Sequence, residues 1–211
     1  MLKVAIVDYG MGNIFSVNSA CKKAGIETII TQDHDKILSS NALILPGVGS
    51  FFEAMKRIKD KKLDVTIKEF YKTKKPIVGI CLGMQLLFSE SEEQKKTKGL
   101  NLIQGKVRSI GKNLIKEKSN YLNIGWYTIS QKKKTDYLKN LKKEKKMYFI
   151  HSYYCIPDDN RIITSFSTIN DMKFCSSISH DNIECFQFHP EKSGVIGQTI
   201  YSCLNKKIKG N

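Results

Sequence analysis

The sequence contains no Cys-x-x-Cys pair, one tryptophan, four prolines, and only three arginines (Arg57, Arg108 and Arg161) among its 35 basic residues. Its six cysteines, at positions 21, 81, 155, 175, 185 and 203, are scattered. Such spacing supports neither a zinc site nor a dithiol redox pair, and we expect no metal and no cofactor. No apolar run approaches the ~20 residues of a membrane-spanning helix. The apolar start Val4 to Val7 is too short for a signal peptide and meets Asp8 and Gly10. These absences predict a cytoplasmic chain with no disulfide framework and no membrane contact. Five of the cysteines then read as small buried hydrophobes, with Cys81 the exception. The net charge of +15 comes almost wholly from lysine. Base readout and bidentate phosphate contacts favour arginine, so no nucleic-acid partner is expected. The lysine runs read as a solvated surface whose field could draw in an anionic substrate or an acidic partner.

What is present is a regular alternation. Over 211 residues, the first half reads strand, helix, strand in turn, as in a βαβ series with a parallel sheet. Strands are predicted at Lys3 to Asp8, Ile26 to Thr31, Ala42 to Leu45 and Pro76 to Ile80. Helices are predicted from Ile14 to Ala24, after the capping box at Ser50 to Glu53, from Leu63 to Tyr71, and from Met84 to Ser89. The second half breaks into short strand-like pieces, expected as antiparallel strands added to the parallel core, with a closing helix from Ser193 to Lys207. The lysine-rich stretch 131–146 is expected to form a short exposed helix, and Gln32 to Asp35, with His34, an exposed loop. The fold class expected is one α/β domain spanning 1–211, with a mostly parallel central sheet and added antiparallel strands.

Gly79-Ile80-Cys81-Leu82-Gly83 lies where the fourth strand meets a helix. A cysteine between two glycines at such a turn has the form of a nucleophile elbow. The strained turn raises the sulfur, and the backbone N–H of Leu82 opens a helix, a place suited to developing negative charge. The thiol needs a base to become a nucleophile near neutral pH. Of the four histidines, His189 ends a strand and is followed by Pro190 and Glu191. Extended backbone would place Glu191 on the same side as His189, giving the third group that orients a catalytic imidazole. His151 follows an apolar run and could border a pocket. A second oxyanion donor could come from Pro46-Gly47-Val48-Gly49, also at a strand end. These residues alone also fit a cysteine peptidase, or a catalytically silent binding module.

Five segments carry a resemblance. They are Val7-Asp8-Tyr9-Gly10-Met11-Gly12-Asn13, Leu45-Pro46-Gly47-Val48-Gly49-Ser50-Phe51, Gly79 to Phe88, Phe149-Ile150-His151-Ser152-Tyr153, and Gln187 to Gly194. Together the chain resembles class I glutamine amidotransferases, and within them the glutaminase subunits of imidazole glycerol phosphate synthases, of L-histidine biosynthesis. The resemblance implies a three-layer fold and a triad of Cys81, His189 and Glu191. It implies an oxyanion hole from the backbone of Val48 and Leu82, and binding of L-glutamine by Gly49, Gln85 and Glu93, with Ser152 and Tyr153 as pocket walls. It further implies a heterodimer with a cyclase subunit, a (β/α)8 barrel that receives the ammonia. A paralogue feeding a different barrel, for amidotransfer on a bacterial surface sugar, is the alternative. The chain departs from the subfamily's Pro-His-x-Gly-Trp-Asn segment, reading Leu122-Asn123-Ile124-Gly125-Trp126-Tyr127.

Overall fold

Alternate residues of the first strand, β1 (Lys3–Val7), enter opposite hydrophobic layers, Val4 and Ile6 one, Ala5 and Val7 the other. A strand buried on both faces requires helices on both faces. In the computed structural model, which describes residues 2–114, 121–139 and 145–210, the chain provides them in alternation. After β1 come α1 (Ile14–Lys23), β2 (Glu27–Thr31), α2 (His34–Ser39), β3 (Ala42–Leu45), α3 (Phe51–Asp60), α4 (Leu63–Lys72), β4 (Ile77–Ile80) and α5 (Leu82–Leu86). The later elements are β5 (Phe88–Ser91), β6 (Thr97–Lys98), β7 (Ile103–Ser109), α6 (Ile110–Leu114), β8 (Asn123–Thr128), β9 (Ser130–Gln131), β10 (Lys146–His151), β11 (Tyr153–Pro157), β12 (Ile163–Ile169), β13 (Met172–His180), β14 (Ile183–Phe186) and α7 (Gly194–Lys209).

The central sheet runs β2-β1-β3-β4-β14-β13-β12-β9. Its first five strands are mutually parallel and the last three antiparallel. Val17 and Cys21 of α1 and Ile200 and Leu204 of α7 share a core with Val4 and Ile6. Met55 and Ile58 of α3 and Ile67 and Phe70 of α4 pack with Ala5 and Val7 in the other core. This is the three-layer α/β arrangement with a mixed sheet that the sequence predicts. The order of the first four strands reverses direction between β1 and β3, and ligand sites of open α/β sheets lie beyond the carboxyl ends of strands at such a point. Among the described residues, no helix is long and apolar enough to cross a membrane.

Several local expectations are corrected. The later strands do not all extend the core: among the described residues β8 pairs only with β10, and β11-β7-β5-β6 form a separate sheet. The helix after Cys81 stops at Leu86, because the chain enters β5 at Phe88. His34 opens α2 instead of sitting in a loop; Asp33 caps it by accepting from Lys36 N, and His34 Nδ1 meets Thr66 Oγ1 at 3.0 Å. The helix expected over 131–146 does not form in its described part. Residues 132–139 follow β9 as bends and a turn that buries Tyr137 and Leu138, and 140–144 lie outside the described residues. Cys203 is half-buried, whereas Cys21, Cys155, Cys175 and Cys185 are buried as expected.

Candidate active site

Cys81 directly follows β4 with φ 51° and ψ −109°, a positive φ at a residue with a side chain. Such a conformation costs about 1–3 kcal/mol and persists only where its surroundings fix it. Here they do. Cys81 N donates to Phe186 O of β14 at 2.7 Å, and Cys81 O accepts from Gln85 N at 3.2 Å, starting the short helix α5. The close approach depends on Gly83, where an added Cβ would lie 1.8 Å from Leu45 O at the end of β3. The loop after β3 therefore packs directly on the elbow.

That loop is held at both ends. Tyr9 Oη donates to Pro46 O at 2.6 Å, and Phe51 N donates to Glu93 Oε2 at 2.6 Å. Between them, Gly49 takes φ +106°. Val48, Gly49, Cys81, Leu82, Gln85, Glu93, Leu122, Ile150, His151, Ser152 and Tyr153 surround one cavity of about 250 Å³. This is below the ~300 Å³ lower end of drug-sized pockets and suits a molecule the size of an amino acid.

His189 reaches the same place from beyond the end of β14, the parallel neighbour of β4. Its backbone is tied to β10: His189 N donates to Tyr148 O at 2.9 Å, while Ser193 Oγ donates to His189 O at 2.7 Å and accepts from Tyr148 N at 3.0 Å. His189 Nδ1 and Glu191 Oε1 are 2.7 Å apart, with both side chains 1% exposed. The two side chains meet for a different reason than extended-chain geometry. His189 is extended, but Pro190–Lys192 forms a 3-10 turn, with Pro190 suited to its first position. The other ring nitrogen, Nε2, is buried without an aligned hydrogen bond among the described residues. Burial opposes charge on this ring. The neighbouring Cys81 sulfur and then Glu191 outweigh it, raising the imidazole to about 10. Both neighbours therefore favour a proton on His189.

The structure brings the eight sequence-predicted site residues together: six line the cavity, His189 stands beside Cys81, and Glu191 holds the other side of the His189 ring. It adds Gln187, which is fully buried. Gln187 Nε2 donates to Cys81 Sγ at 3.6 Å, and its Oε1 accepts from Gln85 Nε2 at 3.2 Å. Gln85 Nε2 also donates to Tyr153 O at 2.9 Å, and Cys81 Sγ donates to Ile150 O at 3.6 Å. Gln187 was missed because it falls inside an apolar strand run; an amide between Phe186 and Phe188 was the available signal. Burial raises Glu93, only partly offset by the Phe51 N–H. Among the described residues no group of His, Cys, Asp and Glu could hold a metal ion.

The class-I glutamine amidotransferase family model matches residues 5–201. "Imidazole glycerol phosphate synthase subunit HisH" of Sulfurimonas denitrificans is 42% identical over 203 residues, covering 96% of this chain and 97% of its own. The protein of that name from Geobacter sulfurreducens is 37% identical over 202 residues, covering 95% and 96%. Among solved structures, PurLQS from Thermotoga maritima superposes with a TM-score of 0.74 at 17% identity, covering 99% of this chain and 98% of that one. A structure described as a glutamine amidotransferase gives 0.69 at 14% identity, covering 99% of each. At these identities the structural neighbours speak for the fold alone.

Proposed function

The chain belongs to the class I glutamine amidotransferase family, and from that premise we propose that it is the glutaminase subunit of an imidazole glycerol phosphate synthase. It hydrolyses L-glutamine and passes the ammonia to a cyclase subunit with a (β/α)8 barrel. The observation that carries this reading is the convergence of a strained cysteine, a carboxylate-held histidine and an amino-acid-sized cavity at the carboxyl ends of β3 and β4. The names of the sequence relatives favour the histidine-pathway partner over a surface-sugar one.

In this reading glutamine lies in the cavity with its amide carbon against Cys81 Sγ, held by Gly49, Gln85 and Glu93. The thiolate attacks the carbon while His189 holds the displaced proton. The oxyanion is met by the backbone N–H groups of Val48 and Leu82, the latter in the first turn of α5 where no intrahelical acceptor exists. Losing one such donor typically costs ~2.7–4 kcal/mol of transition-state stabilisation. His189, oriented through Nδ1 by Glu191, gives its proton to the departing nitrogen. Ammonia leaves and a glutamyl thioester remains. Water, deprotonated by His189, then releases glutamate and restores the thiol.

Leu122, Ile124 and Trp126 are each about half exposed, at 51%, 50% and 53%, and Leu122 also lines the cavity. Trp126 packs edge-on against Tyr148, 5.8 Å between ring centres. We assign the cyclase contact to this apolar surface, so that ammonia moves directly into the partner.

The test is Cys81→Ala in the assembled pair. Glutamine-dependent turnover should vanish, while synthesis from added ammonium salt continues. Retained glutamine-dependent turnover would refute the assigned nucleophile.

A further inference from the structure

One wall of the cavity is a corner where the chain changes sheets. His151 is the last residue of β10, which pairs with β8, and Tyr153 is the first of β11, which pairs with β7. A two-sheet corner has no ladder of its own across the junction. Yet two of its carbonyls contact the reaction machinery: Ile150 O accepts from Cys81 Sγ, and Tyr153 O accepts from Gln85 Nε2. The backbone braces the corner at one point, where Ser152 O accepts from Ile110 N at 2.9 Å; the other brace is a side chain. His151 Nδ1 lies 2.9 Å from Tyr153 O, two residues on, and its Nε2 lies 3.0 Å from Asn123 Nδ2. Asn123 stands directly opposite His151 in the β8–β10 register, and is 1% exposed.

The chemistry of these partners fixes the protons. A backbone carbonyl only accepts, so Nδ1 must carry a hydrogen. Nε2 then offers a lone pair to the Asn123 amide N–H. The amide turns this way at the expense of its own oxygen, which is buried with no partner among the described residues. Burial, and secondarily the charge of His189, push His151 down to about 4 despite the Tyr153 carbonyl. The titratable groups around it are Cys81, Glu93, Tyr153 and His189; its remaining neighbours include the rings of Phe149 and Phe174.

We propose that Asn123 is a positioning residue for glutamine hydrolysis: its N–H locks His151 as the neutral, Nδ1-protonated imidazole that braces the Ile150–Tyr153 wall, and so sets Gln85 and the glutamine pocket. This rests on the glutaminase reading above. Asn123 touches no reacting atom; it acts through His151 and the Tyr153 carbonyl. Its removal weakens glutamine binding more than the chemical step, because His189 and Glu191 are held separately by Ser193 and the 3-10 turn.

The experiment has a spectroscopic and a kinetic part, both on the chain assembled with its partner subunit. Imidazole ¹⁵N NMR of the unsubstituted complex at pH 7 should show His151 neutral with the proton on Nδ1. Asn123→Leu, similar in size without a donor, should raise the glutamine KM about tenfold, equivalent to about 1.4 kcal/mol, with kcat within about twofold. Asn123→Asp keeps the shape but places an acceptor at Nε2, so His151 should become doubly protonated at pH 7 and the glutamine KM should rise as well. Ammonia-dependent synthesis should stay unchanged in both. An Nε2-protonated His151 in the unsubstituted complex, or a neutral one in the Asp variant, overturns the proposal whether or not the Leu variant folds. So does a KM within twofold of the parent in either variant. If the unsubstituted complex itself fails to turn over glutamine, it is the glutaminase reading that fails.

Discussion

Glu184→Gln offers a test of how this core manages buried charge. Glu184 lies on β14, 7% exposed, with Ser179 Oγ donating to its Oε1 at 2.7 Å. Burial raises its carboxyl to about 7, against the smaller opposing effects of Ser179 and Lys207. His151 is displaced the other way, to about 4. The signs follow from proton counting. Between pH 4.5 and 6.5 the folded Glu184 holds a proton that the unfolded one has lost, so stability falls as pH rises. Over the same range unfolded His151 is protonated and folded His151 is not, so stability rises with pH. Each slope is ~1.4 kcal/mol per pH unit, and the two nearly cancel. Wild-type stability should therefore change little from pH 4.5 to 6.5 on account of these groups. Glu184→Gln removes one side of the balance. Because the slope is only partial at both ends of this window, its stability relative to wild type should improve by about 2 kcal/mol across those two units. Urea denaturation at pH 4.5, 5.5 and 6.5 measures this directly, and the variant–parent difference removes the contribution of every other titrating group. A difference that does not change with pH would show that Glu184 is ionised in the folded protein and refute the reasoning.

Three further outcomes are expected. Gly83→Ala sets a methyl 1.8 Å from Leu45 O, so backbone must move; the loss should reach or exceed the ~3 kcal/mol upper end of ordinary overpacking, and a stability within 0.5 kcal/mol of the parent (about the scatter of distant surface changes) would contradict the packing of the loop on the elbow. Trp126→Glu, at a half-exposed ring, should leave the melting temperature nearly unchanged while weakening assembly with the cyclase at least tenfold by titration calorimetry; unaltered affinity would move the docking surface elsewhere. The purified chain alone should hydrolyse glutamine far more slowly than the pair, and equal rates in a direct glutamate assay would refute partner-dependent assembly of the oxyanion hole.

The sequence made the first half of this fold legible because its strands are short, apolar and ended by Gly or Pro, while its helices are amphipathic and capped. Ser50, for instance, caps α3 through the Glu53 N–H as its spacing predicts. The second half was legible as strands but not as sheets, because a run such as Lys146–His151 looks the same whichever partner it pairs with. The stretch around Tyr137 misled for another reason: its lysines advertise an exposed helix, but Tyr137 and Leu138 are drawn inward by tertiary burial. In the site, Cys81, His189 and Glu191 stood out because glycines and a proline mark the turns that present them. Gln187 and Asn123 did not, since each is a polar residue with strand neighbours whose importance lies in what crosses from another element.

The two halves of the candidate site differ in how firmly the fold holds them. On one side, Ser193 ties the His189 backbone to Tyr148, and Glu191 grips the ring. On the other, the loop from Pro46 to Phe51 is fastened at its ends by Tyr9 and Glu93, but among the described residues no hydrogen bond holds the backbone of Val48 or Gly49. Val48 is also 37% exposed. Gly49, at φ +106°, gives this short span the freedom to reorient a peptide without moving its anchors. In the mechanism we propose, a proton-transfer pair fixed in advance faces an oxyanion donor that is pinned at its ends and free between them. We propose that contact of a partner with Val48 and the Leu122–Trp126 surface sets that donor, with no rearrangement of Cys81, His189 or Glu191. Because that surface is also where we place the exit of ammonia, hydrolysis and acceptance of its product become linked by geometry alone.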